Sequence, residues 1–326
     1  MRIQSLGIFL TRRCNFRCIY CCTETGADPP DKMTFPELKN AVLQAKALGA
    51  KTISIPGEGE PLLDNNLFPL IDFACENGLR TIVFTNGSLI DEQAAKHFFQ
   101  KRVLVAFKLH SLNESAYDML AGGTSPISWT DYCIGGKRDR TTSVPVGLKR
   151  LLDVGYAKRP SSPFHGSLLL IETVIVRQNL DHIPSIARFC KELGIGCMVE
   201  TLINTNRTRL NSSKLAVPKK AELKLFKDLT SILGLRFRLH QKRRCSFETN
   251  PFLDVAGNVR HCFSFAASIG NIRDMSLAEL HERELFVRKK TGMMSRRFSL
   301  NHHGFLRCAS RKVIDHQVAS TTCPRS

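Results

Sequence analysis

Between residue 5 and about residue 201 the chain runs through one pattern six times. A short apolar, β-branched run is followed by a segment with apolar residues at helical spacing. The strands are read at 5–10 and in KTISIPG, RTIVFTNG, RVLVAFKLH, GSLLLIETVIV and GIGCMVE. Thr34 before Pro36 and Glu37 predicts a capping box, Asp91 and Asn113 open later helices, and Gly78 and Gly194 close two others. Strands joined by helical crossovers lie parallel, so the pattern predicts a parallel sheet, curled or flat, covered by helices.

Two stretches depart from it. Residues 121–146 are rich in Gly, Ser, Thr and charge and hold the only Trp, which predicts a long ligand-touching loop in the fourth connection. After about residue 202 the alternation stops. NTNRTRLNSSKLAVPKK reads as a polar crossover, AELKLFKDLTSIL as a helix, and the cysteine-bearing tail from 245 as a different organisation. The boundary is drawn between 1–215 and 216–326.

The first strand leads into TRRCNFRCIYCC, with Cys14, Cys18 and Cys21 at C-x3-C-x2-C spacing and Cys22 adjacent. That spacing lets three thiolates converge on one face of a loop, whereas neighbours such as Cys21 and Cys22 point apart. Three soft ligands suit an iron–sulfur cluster or zinc. Zinc would want a fourth ligand close by, and the next hundred or so residues offer none at zinc spacing. A cubane held by three cysteines keeps one iron open. A disulfide framework needs an oxidising compartment, and MRIQSLGIFLTRRC has no long apolar export segment. A cytoplasmic location is therefore expected. GIFL and SLLLIETVIV are both too short to span a membrane, and the second contains Glu172.

With 326 residues and 43% hydrophobic content, the chain can bury one large core and a smaller satellite. Its net charge of +18 comes from basic residues spread along the chain, without an aromatic-interleaved RNA motif or a zinc-finger pattern. Nucleic acid is accordingly not expected as a partner. A general positive field favours anionic ligands.

C-x3-C-x2-C after the first strand, followed by GEGEPLL at the end of the second, resembles the radical S-adenosylmethionine (AdoMet) superfamily. The resemblance covers residues 5 to about 201 and implies a partial (β/α)6 barrel. Gly57-Glu58-Gly59-Glu60-Pro61 matches the family's GGEP-like segment, with Glu58 where a glycine often sits. The resemblance implies a [4Fe–4S] cluster on Cys14, Cys18 and Cys21 whose open iron chelates AdoMet. One-electron cleavage, fed by a reductase, flavodoxin or ferredoxin, would then give a 5′-deoxyadenosyl radical. It also implies that Glu60 contacts the AdoMet amino group and that Gly57 and Gly59 let its methionine part lie close. Asn86, in FTNG, and Ser111, past the fourth strand, are the next candidates to line the AdoMet site, although Asn86 reads equally well as a turn residue. Glu172 and Glu200 lie in strands where an acid is costly unless it faces the barrel mouth; Glu172 is taken as a pocket residue.

Cys245, Cys262, Cys308 and Cys323, with AGN as a hairpin turn and IGNIRDMSLAEL after it, resemble the SPASM/twitch extension of such barrels. Four cysteines match the smaller twitch form, an α+β unit with one auxiliary [4Fe–4S] cluster. Cys323 is the preferred fourth ligand, with His302, His303 or an open iron as alternatives; structural zinc is the competing assignment for the whole set. Of the other cysteines, Cys75 and Cys190 read as core, and Cys133 and Cys22 as thiols able to face the active site. The resemblance implies hydrogen abstraction from a small sugar, cyclitol or nucleoside-like substrate, giving dehydrogenation or epimerisation. Peptide maturation is the alternative; a barrel pattern beginning at residue 5 is expected to leave no room for a leader-binding domain. The positive charge is expected to suit an anionic substrate.

Overall fold

The computed structural model describes residues 2–23, 25–122, 127–134, 141–157, 167–203, 205–233, 250–260, 268–290, 299–300 and 306–307. Six parallel strands form its centre: β1 (Ser5–Ile8), β2 (Thr52–Ile55), β3 (Arg80–Thr85), β4 (Leu104–Lys108), then β7 (Leu169–Ile175) and β8 (Gly196–Thr201). They pair in that order. The crossovers contain α1 (Phe35–Ala47), α2 (Leu67–Glu76), α3 (Glu92–Gln100), α4 (Glu114–Ala121), α5 (Val146–Leu151) and α6 (Ile183–Leu193). This is the predicted α/β fold with a parallel sheet.

The caps follow the sequence. Glu37 Oε2 accepts from the Thr34 backbone N–H at 2.7 Å, Asp91 from Ala94 at 2.7 Å, and Asn113 from Ala116 at 2.9 Å. Gly122 and Gly194 end α4 and α6 with φ of 100° and 65°, where a side chain would be strained. Leu6, Ile53, Val83, Val105 and Ile171 are fully buried between the sheet and its helices.

The fourth connection is more ordered than a loop. Trp129–Cys133 (β5) and Thr141–Pro145 (β6) pair antiparallel as a separate hairpin. Trp129, Thr130 and Tyr132 face Pro145, Val144 and Thr142 across it, a β-branched and aromatic content that favours pairing. Beyond β8 lie two short helices, α7 (Asn206–Leu210) and α8 (Ser212–Leu215), and then α9 (Lys219–Leu233) against α6.

The C-terminal segment extends the same sheet. β9 (Phe252–Leu253) pairs parallel with β1, and β10 (Asn258–Arg260) and β11 (Ser268–Asn271) follow antiparallel, giving nine strands. Gly7 makes room for β9: a Cβ there would lie 2.2 Å from the Phe252 ring. α10 (Leu277–Lys290) then packs on α1, its Leu277 N–H bonded to Gln44 Oε1 at 2.7 Å.

Candidate active site

One cavity of about 290 Å³ is lined by residues from one end of every central strand or the loop after it. Cys14, Ser54, Phe84, Lys108, Val174 and Glu200 each represent a different strand, so the sheet curls around this space. Cys14, Cys18 and Cys21 all line it, together with Gly57, Gly59 and Glu60. Burial pushes the thiols of Cys14 and Cys18 up to about 11 and about 12. Metal loading must therefore release their protons. Among the described residues no three His, Cys, Asp or Glu side chains converge on a single ion. The three thiols face one cavity, and a set of three soft thiolate donors suits an iron–sulfur cluster.

The GEGE segment is tied to that loop through its backbone. Glu60 N–H donates to Arg13 O at 2.8 Å. A Cβ on Gly59 would lie 2.1 Å from the same carbonyl oxygen, and one on Gly57 would lie 2.6 Å from Gly59 O. Gly59 admits the chain's own cysteine loop, a reason for a small residue that the motif alone does not reveal. Position 58 has no such crowding. Its carboxylate is buried and meets Arg260 of β10 at 3.2 Å, and Arg260 in turn meets Asp254 at 3.0 Å. Burial raises the Glu58 pKa and Arg260 opposes that rise.

Glu60 is held by Thr85 Oγ1 at 2.7 Å, Asn86 N–H at 2.8 Å and Leu62 N–H at 3.2 Å. Burial lifts its pKa to about 7 against those donors. Asn86 lines the cavity and also serves its turn, with Nδ2 on Asn15 Oδ1 at 2.9 Å and Oδ1 accepting from Ser88 N–H at 2.9 Å. Ser111 is elsewhere: fully buried and not among the lining residues, its Oγ bonds His182 at 2.9 Å and accepts from Asn113 N–H at 2.8 Å.

On the far wall, Glu172 pairs with Lys108 directly across β4 and β7. Glu200 stands two residues further along on the same face, opposite Val174 of β7. Burial raises the Glu172 pKa, with Lys108 opposing and Glu200 adding to the rise. Lys108 stays above its ordinary value because these acids outweigh its own burial. Lys108 was not singled out from the sequence, although a lysine in a buried strand is as costly as the two acids that were. Cys22 lines the cavity beside this cluster, its thiol pushed up to about 12 by burial. Cys133 is half-buried on the β5–β6 hairpin, 3.9 Å from Thr141 Oγ1, and is not a lining residue. Cys245, Cys262, Cys308 and Cys323, with His302 and His303, lie outside the described residues.

The model of the Radical SAM superfamily matches residues 8–133, the segment that carries the cysteine loop and GEGE. Over those residues the chain is similar to that family, and the family implies a [4Fe–4S] cluster and AdoMet. It is similar to the probable GTP 3′,8-cyclase of Methanocaldococcus jannaschii, 26% identical over 194 residues, covering 59% of this chain and 56% of that one. The AdoMet-dependent heme synthase of Methanosarcina barkeri is 25% identical over 201 residues, covering 61% and 50%. The match thus spans about half the length of these curated relatives. Among solved structures, Streptococcus suis SuiB bound to its precursor peptide SuiA superposes with a TM-score of 0.68. It is 16% identical and covers 94% of this chain and 75% of that one; the likeness concerns the fold.

Proposed function

We propose that this chain cleaves AdoMet reductively and uses the radical to take hydrogen from a small hydroxylated substrate of the sugar, cyclitol or nucleoside kind. The observation that carries the reading is the meeting of Cys14, Cys18, Cys21 and Glu60 with a buried acid–base cluster in one small cavity. Cys14, Cys18 and Cys21 would hold the cluster, and AdoMet bound beside it would supply the 5′-deoxyadenosyl radical. The chain's residues bind and orient: Glu60 offers a buried carboxylate to the AdoMet amino group, and Gly59 keeps the two loops in contact. The relatives' names, a GTP cyclase and a heme synthase, both denote work on small molecules.

The net charge of +18 does not extend into this cavity. Glu58, Glu60, Glu172 and Glu200 line it against Lys108. An uncharged polyol or an amine meets that wall better than the anionic substrate expected from composition. Within this reading, Glu172 would accept the proton in dehydrogenation of a carbinol; Cys245, Cys262, Cys308 and Cys323 would hold an auxiliary cluster able to take up the electron. A second reading, epimerisation, is favoured by Cys22, a thiol in the cavity wall. Peptide maturation is the further alternative. A cytoplasmic location and a flavodoxin- or ferredoxin-type donor belong to the same proposal; among the described residues no helix is long and apolar enough to cross a membrane.

The test is anaerobic turnover with dithionite and AdoMet. The wild-type chain should release 5′-deoxyadenosine, and Cys14→Ala/Cys18→Ala/Cys21→Ala should release none; persistent release in that variant would overturn the assignment. Cys22→Ala should still cleave. With a panel of sugars and cyclitols in D2O, dehydrogenation gives a product two mass units lighter. Epimerisation instead gives one solvent deuterium, lost in Cys22→Ala.

A further inference from the structure

The polar stretch after β8, read from sequence as a crossover, grips the cysteine loop. Four loop carbonyls accept from it. Arg207 Nη1 donates to Cys18 O at 3.0 Å and Asn211 Nδ2 to Ile19 O at 3.1 Å. The Thr208 backbone N–H donates to Cys21 O at 3.3 Å. Thr205 Oγ1 and Asn206 Nδ2 both donate to Cys22 O at 2.8 Å. Arg207 Nη2 also reaches Thr25 Oγ1 at 3.2 Å, so one guanidinium spans from the loop's second cysteine to a residue three beyond Cys22.

The gripping segment is itself braced. The Thr205 N–H donates to Thr208 Oγ1 at 2.8 Å, and Thr208 is fully buried. Asn206 holds φ at 45°, a left-handed conformation that Asn accepts more readily than most residues. From the other side the loop's amides are taken by the end of α4, Arg17 N–H to Ala121 O at 3.2 Å and Ile19 N–H to Leu120 O at 3.1 Å. The loop backbone is thus bonded outward on both sides, with its three thiols left facing the cavity.

We propose that Thr205–Asn211 is a clamp that presets the cysteine loop for its cluster, with Arg207 as the positioning residue. This rests on the cluster reading above. Partners that orient metal ligands set metal affinity, and charge and hydrogen bonding around a cluster set its potential. A guanidinium that both bridges the loop and places a positive charge beside an anionic cluster acts on each quantity. Lysine would keep the charge and lose the bridge.

The experiment uses the full chain, reconstituted anaerobically, and follows the cluster whose paramagnetic signal responds to AdoMet. Arg207→Ala should lose iron to a chelator roughly tenfold faster than wild type and shift the midpoint potential to a more negative value. Arg207→Lys should keep the potential and still lose iron faster. In the metal-free protein, amide exchange over residues 16–22 should rise in both variants while β2–β4 stay protected, which shows that both fold. A folded Arg207→Ala with wild-type iron loss and potential would overturn the clamp alone. A wild-type chain that takes up no iron would overturn the cluster reading and the clamp together.

Discussion

The six central strands and the three C-terminal ones share a sheet but are held in it differently. The six central strands are joined by helices close in sequence, and α1, α2 and α6 pack on strands they connect. β9 to β11 are held by contacts made across most of the chain. Ser5 Oγ bonds Asn250 at 2.9 Å, Met33 N–H bonds Val255 O at 2.9 Å, and Arg260 and Arg273 reach Glu58 and Glu37. The central strands are specified by local periodicity, whereas the added strands depend on a few distant pairings. Damage to the first should be felt in the site itself, and damage to the second first in the docking of residues 250–290.

The largest effect is expected from Gly59→Ala, which drives a methyl into Arg13 O. Backbone cannot step aside as a side-chain tip can, so stability should fall by about 3 kcal/mol and iron uptake should fail. Denaturant melts and iron analysis read both, and a well-folded, iron-loaded Gly59→Ala would show that the two loops are not in obligatory contact. Next comes Arg260→Met, which leaves the buried Glu58 and Asp254 carboxylates without their shared cation. A loss of roughly 3 kcal/mol is the scale for a broken buried pair, reduced here because Arg260 is partly exposed. Limited proteolysis should then open residues 250–290 before the central strands. Equal protection of both regions would erase the distinction.

The smallest effect is expected at Glu37, whose carboxyl Arg273 holds down to about 2, with the Thr34 cap assisting. A depressed carboxyl stabilises the fold above its ordinary titration range, near pH 4.5, and that contribution fades as the pH falls toward 2. The pair is partly exposed, so Glu37→Gln should cost only about 0.5 kcal/mol at neutral pH. The melting temperatures of the two proteins should converge between pH 4.5 and 2; a gap that stays constant would assign the effect to the cap rather than the charge.

Most of the central fold could be read from sequence because period and caps are local. Thr34, Asp91 and Asn113 lie where helices start, and Gly194 where one ends. The cysteine triplet and Glu60 meet in one cavity because they follow adjacent strands at the same end of the sheet. The β5–β6 hairpin was hidden by a Gly- and charge-rich composition that obscured two short strands. Ser111 follows a strand as a cavity residue would, but its hydroxyl is engaged with His182 and the start of α4. Arg207 and Arg260 act through partners 189 and 202 residues away, and no local pattern marks such distances.

The parallel pairing of β9 with β1 also has a consequence in time. β1 is made well before that partner, and until then its outer edge is a row of unpaired amides and carbonyls, the kind of edge on which stray strands add. Its partner arrives late: the bond from Ser5 to Asn250 joins residues 245 apart. At roughly 5–20 residues per second, that edge waits about 12–49 s during synthesis before its own chain can cover it. Slowing the ribosome over residues 210–250 would lengthen that exposure, and the yield of folded chain should fall accordingly.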